Sequence, residues 1–273
     1  MQLNYEEEKK RQNNELHAYN LDHLSDSDLL FLIESYVTKR CDYECIASQI
    51  KGDADIITQM VDNDRVFERV IREGNKIFHI SPYFLFTLLV RRVFKLKKED
   101  EDFINDAVAE LNSSVPTYPW NKSKIIKLLN STDVSNYLAN MLAVFLRTSR
   151  FYKIQKYDEK QYQYIIDMIE EIRYSDNIRK FYIYCHIGNY ALFFTGMFPE
   201  YIEHKFRYKK TLMDSRYYID FGKTYFGLAS EHDMARQHEL DDTLCSLSEG
   251  FEIIIKLLHY MRNEYLPSNN LKL

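Results

Sequence analysis

Residues 186–204 read HIGNYALFFTGMFPEYIEH, and this stretch decides how the rest of the chain is interpreted. It contains Gly188, Gly196 and Pro199, in a sequence with only seven Gly and five Pro among 273 residues. Gly196 suits the left-handed position that closes a helix, and Pro199 suits the first turn of the next one. The stretch therefore predicts the end of one apolar helix, a stop and the start of another.

Gly188 falls inside the first of these helices, where glycine costs about 1 kcal/mol relative to alanine. We expect it there because another helix backbone, or a ligand, approaches closely. Gly222 and Gly227 lie in the predicted helix 214–230 and offer matching small positions. Aromatic side chains are expected around this close contact: Tyr217, Tyr218, Phe221 and Tyr225.

The composition favours a helical protein. Apolar residues make up 45% and charged residues 28%, which is typical of globular chains, whereas Gly and Pro are too few for the many turns of a β-sandwich or barrel. We predict an all-α fold, a multi-helix orthogonal or bundle-like assembly with at most one or two short β-hairpins. The Pro-containing segment 112–121 predicts a boundary between two packed subdomains, 1–112 and 113–273.

Helix starts can be predicted at three positions. Ser25 with Asp28 three residues later fits a capping box. Asp53 caps a run whose apolar spacing predicts one continuous helix to about residue 72. Ser81 followed by Pro82 places a cap and a proline in the first turn, which is typical of a helix N-terminus. Later helices are predicted over 101–111, 122–130, 133–147, 159–174, 176–195 and 199–212.

The last predicted helix has a heptad pattern of apolar residues. It consists of Leu240, Leu244, Leu247, Phe251, Ile254, Leu258, Met261 and Tyr265. Such a pattern suits a dimeric coiled coil, but Ile253, Ile255 and Leu257 widen the apolar stripe. The wider stripe favours a helix at the centre of a bundle over a dimer seam.

Segment 25–81 has a second interpretation as a winged helix. The run VFERVIREGNKIFHIS at 66–81 places Gly-Asn between two β-leaning runs, which would fit a hairpin. The helix that would read DNA, within 53–64, carries aspartates and no Lys or Arg, so it would repel phosphates. Nucleic-acid binding is therefore the weakest of the hypotheses, although the basic, aromatic run 204–210 keeps it open.

A metal site is the sharpest enzymatic hypothesis. Glu200 and His204 are four residues apart and share a helix face, and His186 is close along the chain. These three residues are the metal-ligand candidates, although neither His-Glu-x-x-His nor a pair of Glu-x-x-His motifs is present. No resident cofactor is predicted otherwise. The full set of ligand-binding candidates is His186, Asn189, Glu200, His204, Tyr217, Tyr218 and Tyr225.

The sequence motifs of serine hydrolases and of phosphate-binding loops are absent. There is no Gly-x-Ser-x-Gly elbow, and the Gly-Lys-Thr within 221–227 lacks the upstream glycine of a phosphate-binding loop. The longest apolar run, 82–90, covers about half of a membrane span. The N-terminal residues do not resemble a secretory signal. Four cysteines in a chain of this length, Cys41, Cys45, Cys185 and Cys245, suggest reduced thiols, and we expect a cytoplasmic protein.

The sequence thus favours a non-enzymatic interaction or regulatory protein that binds another protein or itself, with a homodimer as one form. The alternative is a helical enzyme that depends on a metal or small ligand, with its site around 186–204 and 217–225. The second alternative is winged-helix nucleic-acid binding through the N-terminal subdomain. A net charge of −5 argues against a dedicated nucleic-acid binder.

Overall fold

The computed structural model describes residues 21, 24–37, 42–73, 79–113, 119–208 and 214–266. Within these ranges there are 16 helices and no strand, so the predicted all-α fold is confirmed. Helices α1 to α8 are Asp26–Tyr36, Tyr43–Ile50, Ala54–Val61, Asp64–Glu73, Pro82–Glu99, Glu101–Leu111, Lys122–Leu129 and Thr132–Phe145. Helices α9 to α16 are Thr148–Phe151, Ile165–Ile172, Asn177–Met197, Pro199–Tyr208, Ser215–Ser230, Asp233–Gln237, Asp241–Glu249 and Phe251–Tyr265.

The chain divides into two compact units. Unit 1 comprises Met1–Arg92 with Ser135–Ala143, and unit 2 comprises Val93–Val134 with Val144–Leu273. The predicted subdomain boundary within 112–121 stays a prediction, and residues 114–118 of that segment lie outside the described residues.

In unit 1, the predicted capping box at the start of α1 is confirmed. The Ser25 hydroxyl accepts from the Asp28 N–H, and the Asp28 carboxylate accepts from the Ser25 N–H at 3.0 Å. The same carboxylate, fully buried, also accepts from the Ser81 N–H at 2.6 Å. Ser81 in turn caps α5 by accepting from the Phe84 N–H. One buried carboxylate therefore joins the N-termini of two helices that are 53 residues apart in sequence.

The prediction of one continuous helix from Asp53 to about residue 72 is wrong, because the chain forms two helices there. Asp53 does cap α3, but α3 ends at Val61 and α4 begins at Asp64. The side chain of Asn63 accepts from the Arg65 N–H at 3.0 Å, which caps a new helix in place of continuing the old one. Helix α4 also covers residues 66–73, which the winged-helix interpretation assigns to the first strand of a hairpin, so that strand is absent. Residues 74–78, which would form the turn and the start of the second strand, lie outside the described residues.

The basic residues of α5 have partners. In unit 1, Arg91 donates to Asp62 at 2.9 Å and Arg92 donates to Asp64 at 2.7 Å. In unit 2, Lys97 pairs with Asp100 at 2.7 Å. These cations are thus neutralised within their own unit and do not form a free basic face.

In unit 2, helix α11 runs through Gly196 and ends at Met197, so the prediction that Gly196 closes the helix is wrong. Among the described glycines, only Gly52 has the left-handed backbone. Gly196 is instead a contact position, because a Cβ there would lie 2.6 Å from the side chain of Leu258. The glycine allows α16 to pack closely against the end of α11.

The heptad pattern spans two helices, since α15 ends at Glu249 and α16 begins at Phe251. A Cβ on Gly250 would lie 2.6 Å from the side chain of Leu128 and 3.0 Å from the Ser246 carbonyl oxygen, so a larger residue at this break requires Leu128 to shift. The heptad residues from Leu244 to Met261 are at most 2% exposed. They are buried within the chain, which supports the bundle-centre interpretation and leaves no seam for a dimeric coiled coil.

Helix α10 begins at Ile165, not at residue 159 as predicted. The preceding residues form a compact non-helical segment, which we call the 152–164 loop. Its ends are joined by a hydrogen bond from the Tyr162 N–H to the Tyr152 carbonyl at 2.7 Å. Arg179 of α11 holds the middle of the loop through two hydrogen bonds to Asp158, of 3.0 and 2.8 Å. A loop closed in this way and packed by its own side chains is an Ω-loop.

Candidate functional site

The framework of the candidate site is the pair of helices α11 and α13, which approach each other closely as predicted. A Cβ on Gly188 would lie 2.6 Å from the ring of Phe226, which is fully buried. A Cβ on Gly222 would overlap Phe251 and lie 3.0 Å from Ala191. Each glycine thus provides the space that an aromatic ring occupies, and the two helix backbones are held at a fixed separation.

Four aromatic side chains form a continuous row on these two helices; we call Tyr184, Tyr217, Phe221 and Tyr225 the aromatic row. On α13, the Tyr217 and Phe221 ring centroids are 4.4 Å apart, and those of Phe221 and Tyr225 are 6.1 Å apart in a stacked arrangement. The Tyr225 ring lies 5.7 Å from that of Tyr184 on α11. The spacing of four residues places the α13 members on one helix face, which the sequence indicates by itself.

The outer part of the aromatic row reaches the surface. Tyr184, Tyr217 and Phe221 are half-buried, and Tyr225 is 9% exposed. Leu228, one turn further along α13, is 42% exposed and extends the row with an aliphatic side chain. The face therefore combines rigid rings with solvent access, a combination typical of binding surfaces.

Behind the aromatic row lie buried tyrosines. Tyr190 is 1% exposed, its ring is 6.4 Å from that of Tyr218, and its hydroxyl donates to the Gln163 carbonyl at 3.1 Å. Burial raises the pKa of the Tyr190 phenol, and it raises the pKa of Tyr218 to about 12. Both phenols are therefore protonated at neutral pH. Tyr218, a predicted ligand residue, contributes to the core beneath the surface and not to the surface itself.

His186 is placed in the core of unit 2. It is 5% exposed, and its Nε2 lies 2.9 Å from the Phe151 carbonyl oxygen. Because a carbonyl oxygen only accepts, Nε2 carries the ring proton. Burial lowers the pKa of His186 to about 4, so the imidazole is neutral at physiological pH. The neighbouring Cys185 is also buried, and burial raises the pKa of its thiol.

Glu200 anchors a helix junction. Its carboxylate accepts two hydrogen bonds from Arg262 of α16, at 2.8 and 2.5 Å, and Arg262 also donates to the Met197 carbonyl at 3.0 Å. These bonds to Arg262 lower the pKa of Glu200. Arg262 thus connects the last carbonyl of α11 to the first turn of α12. The sequence does not indicate this residue, because it lies 62 positions from Glu200 and belongs to no local motif.

His204 is exposed on α12, and Asn189 is half-buried on α11. In the part of the chain that the structure describes, no three His, Cys, Asp or Glu side chains are grouped closely enough to hold a metal ion. His186, Glu200 and His204 all lie in that part, so they do not come together as the metal hypothesis requires. The candidates that do share one surface are Tyr217 and Tyr225, with Tyr218 directly behind them.

Comparisons with protein-family models, with curated proteins and with solved structures found no match to this chain. Among the described helices, none has both the length and the apolar character that crossing a membrane requires. The function must therefore be inferred from the surface and the chemistry of the chain itself.

Proposed function

We propose that this chain is a non-enzymatic interaction module that binds another protein through the aromatic row and Leu228. The observation that carries the proposal is the row itself, a set of contacting rings that crosses from α13 to α11, with three of its four members half-buried. Tyrosine and phenylalanine are favoured in the cores of protein interfaces, where they bury a large area on binding.

Rigidity supports the proposal. The rings contact one another and lie on a helix pair held close at Gly188 and Gly222. Since these side chains are ordered before any partner arrives, binding them costs little conformational entropy. The composition agrees with this role, because 22 Tyr against a single Trp provides many flat amphipathic rings.

The chemistry of the remaining candidates supports a binding role over a catalytic one. The proton on His186 Nε2 is engaged by the Phe151 carbonyl, and the Glu200 carboxylate is engaged by Arg262. A cytoplasmic location forms part of the proposal; it is supported by the described cysteines, Cys45, Cys185 and Cys245, which are free thiols.

The test compares the double variant Phe221→Ser/Leu228→Ser with the wild-type chain. Proteins retained by the immobilised wild-type chain are identified and purified, and their affinity for both chains is measured by calorimetry; self-association of both chains is measured by sedimentation. We expect the double variant to weaken the complex at least about 30-fold, as loss of a central interface contact does.

The matched control is Ile71→Ser. Ile71 is 50% exposed in unit 1, so the change removes a similar exposed aliphatic side chain away from the aromatic row. Thermal melts establish that all variants are folded. The proposal is wrong if the purified partner binds the double variant as tightly as the wild type, or if the wild-type chain neither self-associates nor binds any purified protein.

A further inference from the structure

A second surface of unit 2 has a charge character that differs from the rest of the chain. Residues 146–157 read LRTSRFYKIQKY and contain four cations and no acid, in a chain whose net charge is −5. We call this stretch the basic segment. It covers the short helix α9 and the first half of the 152–164 loop. Its four cations recur every third residue: Arg147, Arg150, Lys153 and Lys156.

Apolar side chains are exposed on and around the basic segment. Leu146 is 47% exposed and Tyr157 is 69% exposed. Of the eight large hydrophobic side chains exposed in the described residues, five lie between Leu146 and Tyr174. Two of these five, Leu146 and Tyr157, lie within the basic segment itself, so the segment offers apolar area beside its cations.

The backbone beneath this surface is held firmly. Phe151 and Ile154 are buried, at 2% and 6% exposure, and the Phe151 carbonyl accepts from His186. The Arg179 guanidinium donates to Asp158 and also to the Gln155 side chain. Lys153, Lys156 and Tyr157 therefore lie on a loop whose backbone is fixed by these contacts.

Three of the four cations in the basic segment are not neutralised by an ion pair with a described residue. Across the described residues, no acidic side chain forms an ion pair with Arg147, Lys153 or Lys156, and Lys156 lies 5.2 Å over the ring of Tyr157. Of the two acids that directly follow the basic segment, Asp158 pairs with Arg179 and Glu159 is exposed. This differs from α5, where the arginines at 91 and 92 and Lys97 each have an acidic partner.

We propose that the basic segment binds an acidic, apolar-containing linear segment of a partner protein. The partner's carboxylates would pair with Arg147, Lys153 and Lys156, and its apolar side chains would cover Leu146 and Tyr157. Carboxylates accept strong charge-assisted hydrogen bonds from guanidinium and ammonium donors, and complementary charge selects partners and speeds their association.

The alternative ligand, a single-stranded nucleic acid, fits these observations less well. Strand binding uses several aromatic platforms along a positive groove, whereas the basic segment exposes one strongly accessible ring, Tyr157, beside the aliphatic side chain of Leu146. The surface shares no residue with the aromatic row, so the two proposals are tested separately.

The experiment measures fluorescence anisotropy with the full chain and three labelled probes: a short peptide that alternates Asp with Phe and Leu, the same peptide with Lys in place of Asp, and an oligouridine of matched length. We expect only the acidic peptide to bind. Its affinity should fall at least about tenfold in Lys153→Glu/Lys156→Glu, and also when salt rises from about 50 to 200 mM.

The matched control is Arg72→Glu/Lys127→Glu, which changes two exposed cations outside the basic segment by the same total charge. Tyr157→Ser should weaken the acidic peptide without changing the net charge. The proposal is overturned if the wild-type chain does not bind the acidic peptide, if the control weakens binding as much as the reversal at 153 and 156, or if oligouridine binds more tightly. Concentration-dependent sedimentation that is abolished by Lys153→Glu/Lys156→Glu would overturn it in favour of a second copy of this chain.

Discussion

Units 1 and 2 bury polar chemistry in different ways. Both charged residues that are buried among the described residues, Asp28 and Arg91, belong to unit 1, and each is held by several hydrogen bonds. In unit 2, the buried polar side chains are those of His186, Thr195 and Thr243, and His186 is neutral at physiological pH. Unit 1 keeps buried charges and provides partners for them, whereas unit 2 excludes charge and packs rings against glycines.

The difference teaches which kind of change each unit tolerates. A buried ion depends on the particular donors around it, since loss of one partner leaves an uncompensated charge. In unit 1, Arg91 donates to both Asp62 and Asn136, so its charge is shared between two acceptors. Aromatic packing depends on volume and shape, and it responds to added or lost atoms.

The largest expected effect follows from removing the buried carboxylate of unit 1. Asp28→Ala deprives the Ser25 and Ser81 N–H groups of their acceptor and should lower the free energy of unfolding by about 3–4 kcal/mol. Urea unfolding followed by circular dichroism measures this loss. Asp26→Ala is the matched control, because Asp26 lies in the same helix turn and its side chain is 78% exposed. Equal losses in both variants would contradict the role given to Asp28.

The next effect is an acid sensitivity that arises in unit 2. Because the pKa of His186 is about 4 in the folded chain and 6.5 in the unfolded one, only the unfolded chain binds a proton there between these values. Stability contributed by the neutral imidazole is present above pH 6.5 and is lost as pH falls towards 4, by about 3 kcal/mol in total. Urea unfolding at several pH values measures this slope.

His186→Gln keeps a hydrogen-bond donor without a titratable ring, so it isolates the contribution of His186 from that of the carboxylates. The variant should be less dependent on pH than the wild type between pH 6.5 and 4. If both proteins lose stability in parallel over this range, the buried neutral histidine is not the cause.

The smallest effect tests the packing of unit 2. Gly188→Ala places a methyl group against Phe226, and we expect a net loss of about 1–2 kcal/mol, because overpacking outweighs the helix propensity that alanine gains. Gly227→Ala on α13 is the control, since its Cβ would meet only the Ser248 hydroxyl at 3.3 Å, and it should be neutral or slightly stabilising. Phe226→Leu should couple to Gly188→Ala in a double-mutant cycle; strict additivity would contradict direct contact.

Local signals in the sequence predicted much of the fold. The capping box at Ser25, the start at Ser81 and the close approach at Gly188 are each specified by neighbouring residues or by an unusual residue in a helix. The stop at Gly196 was predicted wrongly, because a glycine that terminates a helix and one that admits Leu258 look alike in sequence. The break at Gly250 has no signal in the sequence, because the heptad pattern continues through it.

The candidate site was predictable only in part. The spacing of Tyr217, Phe221 and Tyr225 indicates their common face, but nothing local indicates that Glu200 meets Arg262. The metal hypothesis for His186, Glu200 and His204 relied on closeness along the chain, and helices α11 and α12 direct these side chains to different environments. The basic segment could have been found from its run of cations without acids.

The reactivity of the buried Cys185 thiol reports how often the core around α11 opens transiently. Its burial and raised pKa suppress reaction with alkylating reagents, whereas Cys45 and Cys245 are exposed. Modification at Cys185 therefore has to wait for the core around α11 to open, and its rate measures how often that opening occurs. Mass spectrometry of the alkylated chain measures this rate in the native protein without denaturant.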